Sequence, residues 1–214
     1  MGTRSKQMRL ARGPTPRLST VRAFPDYLIP APDGSGDIGI NLAKLQAPSD
    51  VYDGDFAWAE KGYGSINLLF AKAGLSSRSE LKSKLEIRMS AENFVMFWRH
   101  TQNFYGILKN EHLARIPKIV ASTSFDPQTV TAKSEHSTWA SIVAVSYTGG
   151  AASADFFLIP PNAIGSYQQT NDPAQLVVTP VLRALFGTHA LLALLESCRG
   201  IAAEVEPMLP KEAV

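Results

Sequence analysis

The fold is decided by residues 138–204, which run TWASIVAVSYTGGAASADFFLIPPNAIGSYQQTNDPAQLVVTPVLRALFGTHALLALLESCRGIAAE. The segment from Trp139 to Thr148 is rich in β-branched residues and predicts a strand. Gly149-Gly150 then predicts a turn, and Ala154 to Ile159 predicts a partner strand that is stopped by two prolines. This part of the chain therefore predicts an antiparallel hairpin.

The remainder of the same stretch predicts a helix packed on that hairpin. A polar loop from Asn162 to Pro173 leads to a short predicted strand from Gln175 to Val178. Thr179-Pro180 has the pattern of a helix start, with Thr as the cap and Pro at the first helical position. The predicted helix runs to about Glu204 and is apolar on most of its faces, so most of its faces must be covered.

Three shorter helices are predicted before this region. Ser65 to Ala73 is followed by Gly74, a residue that commonly ends helices. A second helix is predicted from Ser77, where Glu80 completes a capping-box pattern. A third is predicted from a cap at Ser90 to about Lys109, because aromatic and aliphatic residues recur there at helical spacing.

After Pro117, two further strands are predicted at residues 118–124 and 129–133. The fold class is therefore α+β: an antiparallel sheet of about four strands with a long C-terminal helix, preceded by helices and an extended N-terminal arm. Residues 51–214 form the predicted single domain, with a helical part at 65–110 and the sheet plus helix at 118–205. No internal repeat is visible in the sequence.

Residues 1–50 form the predicted arm, which is basic and contains six of the 14 prolines. Six cations precede the first acidic residue, Asp26, and are Arg4, Lys6, Arg9, Arg12, Arg17 and Arg22. Three interpretations stay open for this arm: a targeting segment, an electrostatic arm for phosphates, or a solvated tail. Its apolar side chains indicate that it lies extended across its own domain or across a neighbouring subunit.

The strand and helix patterns also resemble those of a family of small bacterial proteins of unknown function. The shared features are the run Trp139-Ala140-Ser141-Ile142-Val143-Ala144-Val145-Ser146-Tyr147-Thr148, then Ala154-Asp155-Phe156, and later Val177-Val178-Thr179-Pro180. The resemblance covers roughly residues 137–196. In that family an Asn stands at the place of Ser141 and a His at the place of Tyr147. The resemblance supports the predicted fold and implies no particular chemistry.

Composition limits the classes of protein that remain. The chain has 214 residues, 45% of them hydrophobic, so it can bury a sizeable core. It has no run of the roughly 18 apolar residues that a membrane span requires. The single cysteine, Cys198, lies in the predicted C-terminal helix, where a buried and inert thiol is expected. One cysteine and no Asn-x-Ser/Thr acceptor together indicate a reducing intracellular compartment such as the cytoplasm.

No motif for catalysis or for a cofactor emerges. Gly34-Ser35-Gly36-Asp37-Ile38-Gly39 has the glycine spacing of a dinucleotide-binding loop, but it follows a proline-broken segment instead of a strand. The histidines lack metal-ligand spacing, and those on predicted helices, His100 and His189, are expected to be packed or interfacial. No nucleophile-elbow motif is present. Catalytic, cofactor-binding and metal-binding residues are therefore all predicted to be absent.

Asp155 is unusual because it interrupts an apolar strand. In one interpretation it faces solvent or hydrogen-bonds the glycine turn. In the other it is a buried carboxylate paired with Arg183 or Arg199.

The sequence thus predicts a non-enzymatic structural or assembly subunit that self-associates, of which a component of an assembled particle is one instance. The apolar surfaces on residues 91–109 and 181–204 exceed what one four-stranded sheet can bury. The candidate assembly residues are Phe24, Tyr27, Leu28, Ile29, Phe97 and Trp98. The alternative is a nucleic-acid-associated protein that binds phosphates through Arg4, Lys6, Arg9, Arg12, Arg17 and Arg22.

Overall fold

A computed structural model of the protein describes residues 21–22, 27–30, 37–41, 44–73, 81–113, 136–148 and 150–209. The elements in chain order are β1 (Val21–Arg22), β2 (Tyr27–Pro30), β3 (Asp37–Ile40), β4 (Val51–Asp53), β5 (Phe56–Lys61), β6 (Ile66–Ala73), β7 (Leu81–Met89), α1 (Ala91–Leu113), β8 (His136–Trp139), β9 (Ile142–Thr148), β10 (Ala151–Leu158), α2 (Pro161–Thr170), β11 (Thr179–Gly187) and α3 (Thr188–Val205). The predicted mixture of helices and strands and the C-terminal helix are confirmed.

The strands form two main sheets, where one antiparallel sheet was predicted. The first sheet has the order β5-β6-β7-β8, and the second has the order β1-β9-β10-β11-β4. Both sheets are mixed, because β8 runs parallel to β7 and β4 runs parallel to β11. β2 and β3 form a separate antiparallel hairpin. A parallel neighbour needs a long connection, and here each parallel strand comes from a distant part of the chain.

The predicted hairpin and the predicted third helix are both confirmed. β9 and β10 pair antiparallel, and Val145 lies opposite Ala154. The predicted strand from Trp139 is interrupted at residues 140–141, so its first residue belongs to β8. α1 begins directly after Ser90, whose side-chain oxygen accepts a hydrogen bond from the backbone N–H of Asn93 at 3.2 Å. This contact is the predicted N-terminal cap.

Two predicted helices before α1 are wrong, because the residues are strands. Ile66–Ala73 is β6, the strand between β5 and β7. Its apolar run is buried on both faces, which removes the alternation that marks a half-exposed strand. Leu81 and Leu85 belong to β7 and not to a helix.

Three predictions near the C-terminus are also corrected. The polar segment expected to be a loop contains α2, with Pro161 at its first position. Residues 173–175 form a 3-10 turn and the next three are irregular, so no strand occurs at Gln175–Val178. The C-terminal helix begins at Thr188, and Thr179–Gly187 is a strand because it pairs with β10 on one side and β4 on the other. The strands predicted at 118–124 and 129–133 lie outside the described residues.

The chain contains two structurally equivalent halves, which the sequence did not reveal. β4, β5, β6, β7 and α1 recur as β8, β9, β10, β11 and α3 in the same order. In each half the second and third strands form an antiparallel hairpin, the fourth strand pairs with the third, and the helix follows directly. The second half differs by a longer connection between its third and fourth strands, which contains α2.

The hydrogen-bond register matches residue by residue between the halves. Lys61 lies opposite Ile66 in the first half, and Tyr147 lies opposite Ala152 in the second. The turns between these residues have the same length, and that of the first half needs Gly64 at a φ of 75°. The helices correspond in burial as well: the pairs Phe94 and Leu191, Phe97 and Leu194, Thr101 and Cys198, and Phe104 and Ile201 are all buried.

The first strand of each half is exchanged into the sheet of the other half. β4 pairs with β11, and β8 pairs with β7. The crossings match in detail: the Gly54 N–H donates to the Leu185 carbonyl at 2.8 Å, and the Ala140 N–H donates to the Arg88 carbonyl at 2.9 Å. One residue further along the chain, the Asp55 N–H donates to the Ala71 carbonyl, and the Ser141 N–H donates to the Phe157 carbonyl, both at 2.8 Å. The arrangement resembles a strand-exchanged dimer joined into one chain.

Both halves contribute to one hydrophobic core. The inner faces of the two sheets and the apolar faces of α1 and α3 belong to one contiguous cluster of buried side chains. At its centre the ring of Phe70 contacts the rings of Phe156 and Phe186, with centroids 5.6 and 5.3 Å apart. Phe70 and Phe156 occupy equivalent positions, so they meet where the two halves meet. The second sheet covers the helix surfaces that one sheet could not.

Candidate functional site

Phe97 and Trp98 lie inside the chain and not on a surface that a neighbour could reach. Their relative exposures are 3% and 8%, and Trp98 packs against Tyr105 with ring centroids 5.9 Å apart. The prediction that these two side chains contact another subunit is therefore wrong. The cause is the unpredicted second sheet, which completes the core around α1.

The arm is described only in part. Arg22 belongs to β1, which pairs with β9 of the same chain through Ser146. Tyr27, Leu28 and Ile29 belong to β2. Five of the predicted phosphate contacts and one predicted assembly residue lie outside the described residues: Arg4, Lys6, Arg9, Arg12, Arg17 and Phe24. In the described part of the arm, β1 pairs with a strand of its own domain, whereas β2 and β3 pair with each other.

The exchanged strands β4 and β8 are the outermost strands of their sheets in the described structure. Each carries a large apolar side chain that is exposed, Val51 at 54% and Trp139 at 47%. Leu185 of β11 lies opposite Asp53 of β4 and is also exposed, at 38%. An exposed outer strand presents backbone N–H and C=O groups to any strand that approaches. These two edges, the β4 edge and the β8 edge, are the candidate functional surfaces.

An ion pair lies beside each edge. Next to the β4 edge, Arg183 donates two hydrogen bonds to Asp155, at 2.6 and 2.7 Å. Next to the β8 edge, Arg88 donates to Glu86 at 2.7 Å. Both pairs leave part of their arginine exposed, with side-chain exposures of 33% for Arg183 and 43% for Arg88. Each edge therefore combines an exposed apolar side chain with a charged neighbour.

The structure decides between the two interpretations of Asp155. Its carboxylate pairs with Arg183, and it is only 17% exposed. This side-chain hydrogen bond raises the pKa of Arg183 above its usual value. The interpretation as a carboxylate paired with Arg183 is therefore the one that applies, although Arg183 lies on β11 and not on the last helix. Arg199, the other predicted partner, pairs with Glu196 instead.

A shallow groove of about 340 Å³ lies between α1 and α3. Its lining is Lys109, His189, Leu192, Ala193 and Glu196. At its side, Lys109 donates to the hydroxyl of Tyr105 at 3.2 Å, and that hydroxyl donates to Glu196. The Tyr105 hydroxyl thus links Lys109 to Glu196, as expected of a contact that joins two helices. The sequence did not predict this network.

His100 lies on α1, where it is partly buried, as predicted for a packed histidine. Burial lowers the pKa of its imidazole. The folded chain therefore binds the proton less readily than the unfolded chain, and stability present above the unfolded pKa is lost as pH falls through the folded pKa. We expect the unfolding midpoint in urea to fall between about pH 7.5 and about pH 5, and to fall less in His100→Gln. Equal slopes in the two proteins would contradict this assignment.

Three further features of the described residues concern the cysteine, metal ligands and membrane spans. Cys198 is a free and fully buried thiol, as predicted, and burial raises its pKa, which is the state of an unreactive structural cysteine. Among the described residues, no three His, Cys, Asp or Glu side chains come together as a metal site requires. None of the described helices combines the length and the apolar character needed to cross a membrane.

No family model, no curated protein and no solved structure matches the chain.

Proposed function

We propose that the protein is a non-enzymatic structural subunit that self-associates, and that copies join through the β4 edge and the β8 edge. The observation that carries this proposal is the equivalence of the two edges. Both are exchanged strands at the same position of their halves, both are outermost in the described sheets, and both expose a large apolar side chain.

The edges favour a second copy of the chain as the partner. Addition of a strand to a sheet edge supplies main-chain hydrogen bonds, and apolar side chains beside it add affinity. A copy that offers two equivalent edges can join two neighbours, so assembly need not stop at a dimer. Most apolar side chains of residues 91–109 and 188–205 are buried within the chain, so these helices no longer support assembly.

The N-terminal arm is proposed to strengthen the contact with a neighbouring subunit. β1 pairs with β9 within one chain through two residues, Val21 and Arg22. Exchange of β1 between copies would keep the same backbone hydrogen bonds, as in domain swapping. Removal of residues 1–26 is then expected to weaken the assembly without unfolding the domain.

The direct test changes one exposed apolar residue on each edge to lysine, since a charge on an outer strand opposes pairing with another strand. We expect the wild-type chain to scatter light as particles larger than 23.2 kDa at both low and high salt. The double variant Val51→Lys/Trp139→Lys is expected to shift to 23.2 kDa. The matched control is Val177→Lys, which changes a residue that is 59% exposed and lies outside every strand.

Two results would overturn the proposal. One is a wild-type chain that stays at 23.2 kDa at both salt concentrations. The other is an assembly that survives in the edge variant as fully as in the control. Circular dichroism of each variant separates loss of assembly from loss of fold.

The second candidate function is nucleic-acid binding through the arm, supported by the six cations that precede Asp26. Arginine contacts to phosphate give an affinity that falls steeply with salt. Replacement of Arg4, Lys6, Arg9, Arg12, Arg17 and Arg22 by Gln is expected to abolish such binding and to leave particle size unchanged. Loss of assembly in that variant would instead assign the cations to subunit contacts.

A further inference from the structure

α1 and α3 pack against each other in an antiparallel arrangement. Arg99, in the first half of α1, contacts Glu206 just beyond the end of α3. Tyr105, further along α1, contacts Glu196 in the middle of α3. Residues later in α1 therefore contact residues earlier in α3. A two-fold relation between equivalent halves has this geometry.

The positions that meet across this helix pair are equivalent in the two halves. Arg99 and Glu196 are each the ninth residue of their helices. Lys109 and Glu206 correspond in the same way, because the register continues past the end of α3 into a 3-10 turn. One contact therefore joins Arg99 to Glu206, and its two-fold counterpart joins Glu196 to Lys109.

The charges at these equivalent positions are reversed. Arg99 Nε donates to Glu206 Oε1 at 2.7 Å. In the counterpart, Lys109 donates to the Tyr105 hydroxyl at 3.2 Å, and that hydroxyl donates to Glu196. At these four positions the first half carries both cations and the second half carries both carboxylates, and Glu196 also accepts a hydrogen bond from Arg199 of its own half. Unlike charges thus meet at both contacts only when the two different halves face each other.

Pairing of two first halves or of two second halves would instead bring like charges together. Two first halves would bring Arg99 against Lys109, and two second halves would bring Glu196 against Glu206. Juxtaposition of like charges opposes association and is a common means of excluding wrong partners.

The two halves also differ in the size of equivalent core side chains, and this difference favours the same pairing of unlike halves. On the inner face of the first sheet, Leu68 and Ile87 lie opposite each other, both at 0% exposure. The equivalent pair in the second sheet is Ala154 and Ala184, also at 0% exposure. Two large pairs would overfill a shared core, and two small pairs would leave a cavity. One large and one small pair suit a single close-packed interior.

We infer that the two halves are complementary interaction modules, each of which selects the unlike half and rejects its own kind. The partner of each module is the other half of its own chain or of a second copy. This specificity lies in the helix pair and the core, so it is independent of the β4 and β8 edges and would hold even if those edges bind nothing.

The first test is a charge-swap cycle in the full chain, followed by urea unfolding. Arg99→Glu opposes two carboxylates, and Glu206→Arg opposes two guanidinium groups. Each single variant is expected to lower the folding equilibrium constant by about 2- to 10-fold, and the double variant is expected to recover most of it. The control is Lys72→Glu, which makes the same change from cation to carboxylate at an exposed position of β6, away from the helix pair. Losses in the double variant that equal the sum of the single losses would overturn the charge argument.

The second test measures the choice of partner. A protease site placed between residues 114 and 135 allows the folded chain to be cut into its halves, which are then unfolded in urea, refolded and weighed by native mass spectrometry. Wild-type halves are expected to recover only unlike pairs. In cut Arg99→Glu, the share of pairs of two first halves is expected to rise above that of the wild type, because the introduced carboxylate would then face Lys109, although the two large core pairs still oppose this pairing. Like pairs in the wild type at the proportion of random mixing would overturn the inference. If the cut halves do not refold, the charge-swap cycle decides the question alone.

Discussion

Replacement of Phe70 by Ala is expected to lower the free energy of unfolding by about 3–5 kcal/mol. Phe70 has no exposed surface, and its ring contacts Phe156 and Phe186 of the second half. The change removes aromatic contacts and leaves a cavity where the two halves meet. Since typical domains are stable by only about 5–15 kcal/mol, the loss should be visible as a large shift of the urea midpoint.

The matched control is Phe56→Ala, because Phe56 lies on neighbouring strand β5 and is only partly buried. We expect its loss of stability to be clearly smaller. Equal losses at the two positions, or a loss at Phe70 below about 1 kcal/mol, would show that the halves do not share a core at this point.

The sequence predicted best those elements whose signals are local. The β9–β10 hairpin followed from β-branched strands separated by glycines, and α1 followed from its Ser90 cap and helical spacing. The pairing of Asp155 with Arg183 was only one of the interpretations that the sequence left open, and the structure decides for it.

The sequence predicted poorly those strands that are buried on both faces. Leu69 and Phe70 are adjacent and both have 0% exposure, so β6 shows no period of two and resembles an apolar helix.

β11 was missed for a different reason: it was assigned to the C-terminal helix because Thr179-Pro180 looks like a helix start. Its strand conformation depends on pairing with β10 and β4, which is tertiary information.

The repeat escaped detection because equivalent residues share burial and not identity. Phe94 corresponds to Leu191 and Thr101 to Cys198, and all four are fully buried. A core position restricts volume and polarity more than it restricts residue type, so two halves can keep one structure while their sequences differ. The charge reversal at Arg99 and Glu196 makes the halves still less alike.

The candidate surfaces could not be predicted, since the edge of a sheet is defined by the order of its strands. Val51 and Trp139 carry no local mark of exposure, and Trp139 was expected inside a longer strand. The order of the strands, in which β4 pairs with β11 and β8 pairs with β7, places them at the outer edges. The proposal of self-association through these edges therefore depends on tertiary pairing that no local sequence signal reveals.

The exchange predicts which pairs of introduced cysteines can form a disulfide. Asp53 of β4 lies opposite Leu185 of the second half. Paired strands lie about 4.8 Å apart, within the Cα separation that a disulfide spans. The residue equivalent to Leu185 in the first half is Arg88, which would lie beside Asp53 if β4 remained with its own half. Cys198 is buried in the folded chain and does not interfere.

The exchange of β4 is tested most directly by oxidation of the folded chain at low concentration, followed by peptide mass analysis of the disulfide. Strand exchange predicts nearly complete intramolecular disulfide formation in Asp53→Cys/Leu185→Cys and almost none in Asp53→Cys/Arg88→Cys. The opposite result, with the bridge to position 88 formed and the bridge to position 185 absent, would contradict the exchange of strands between the two halves.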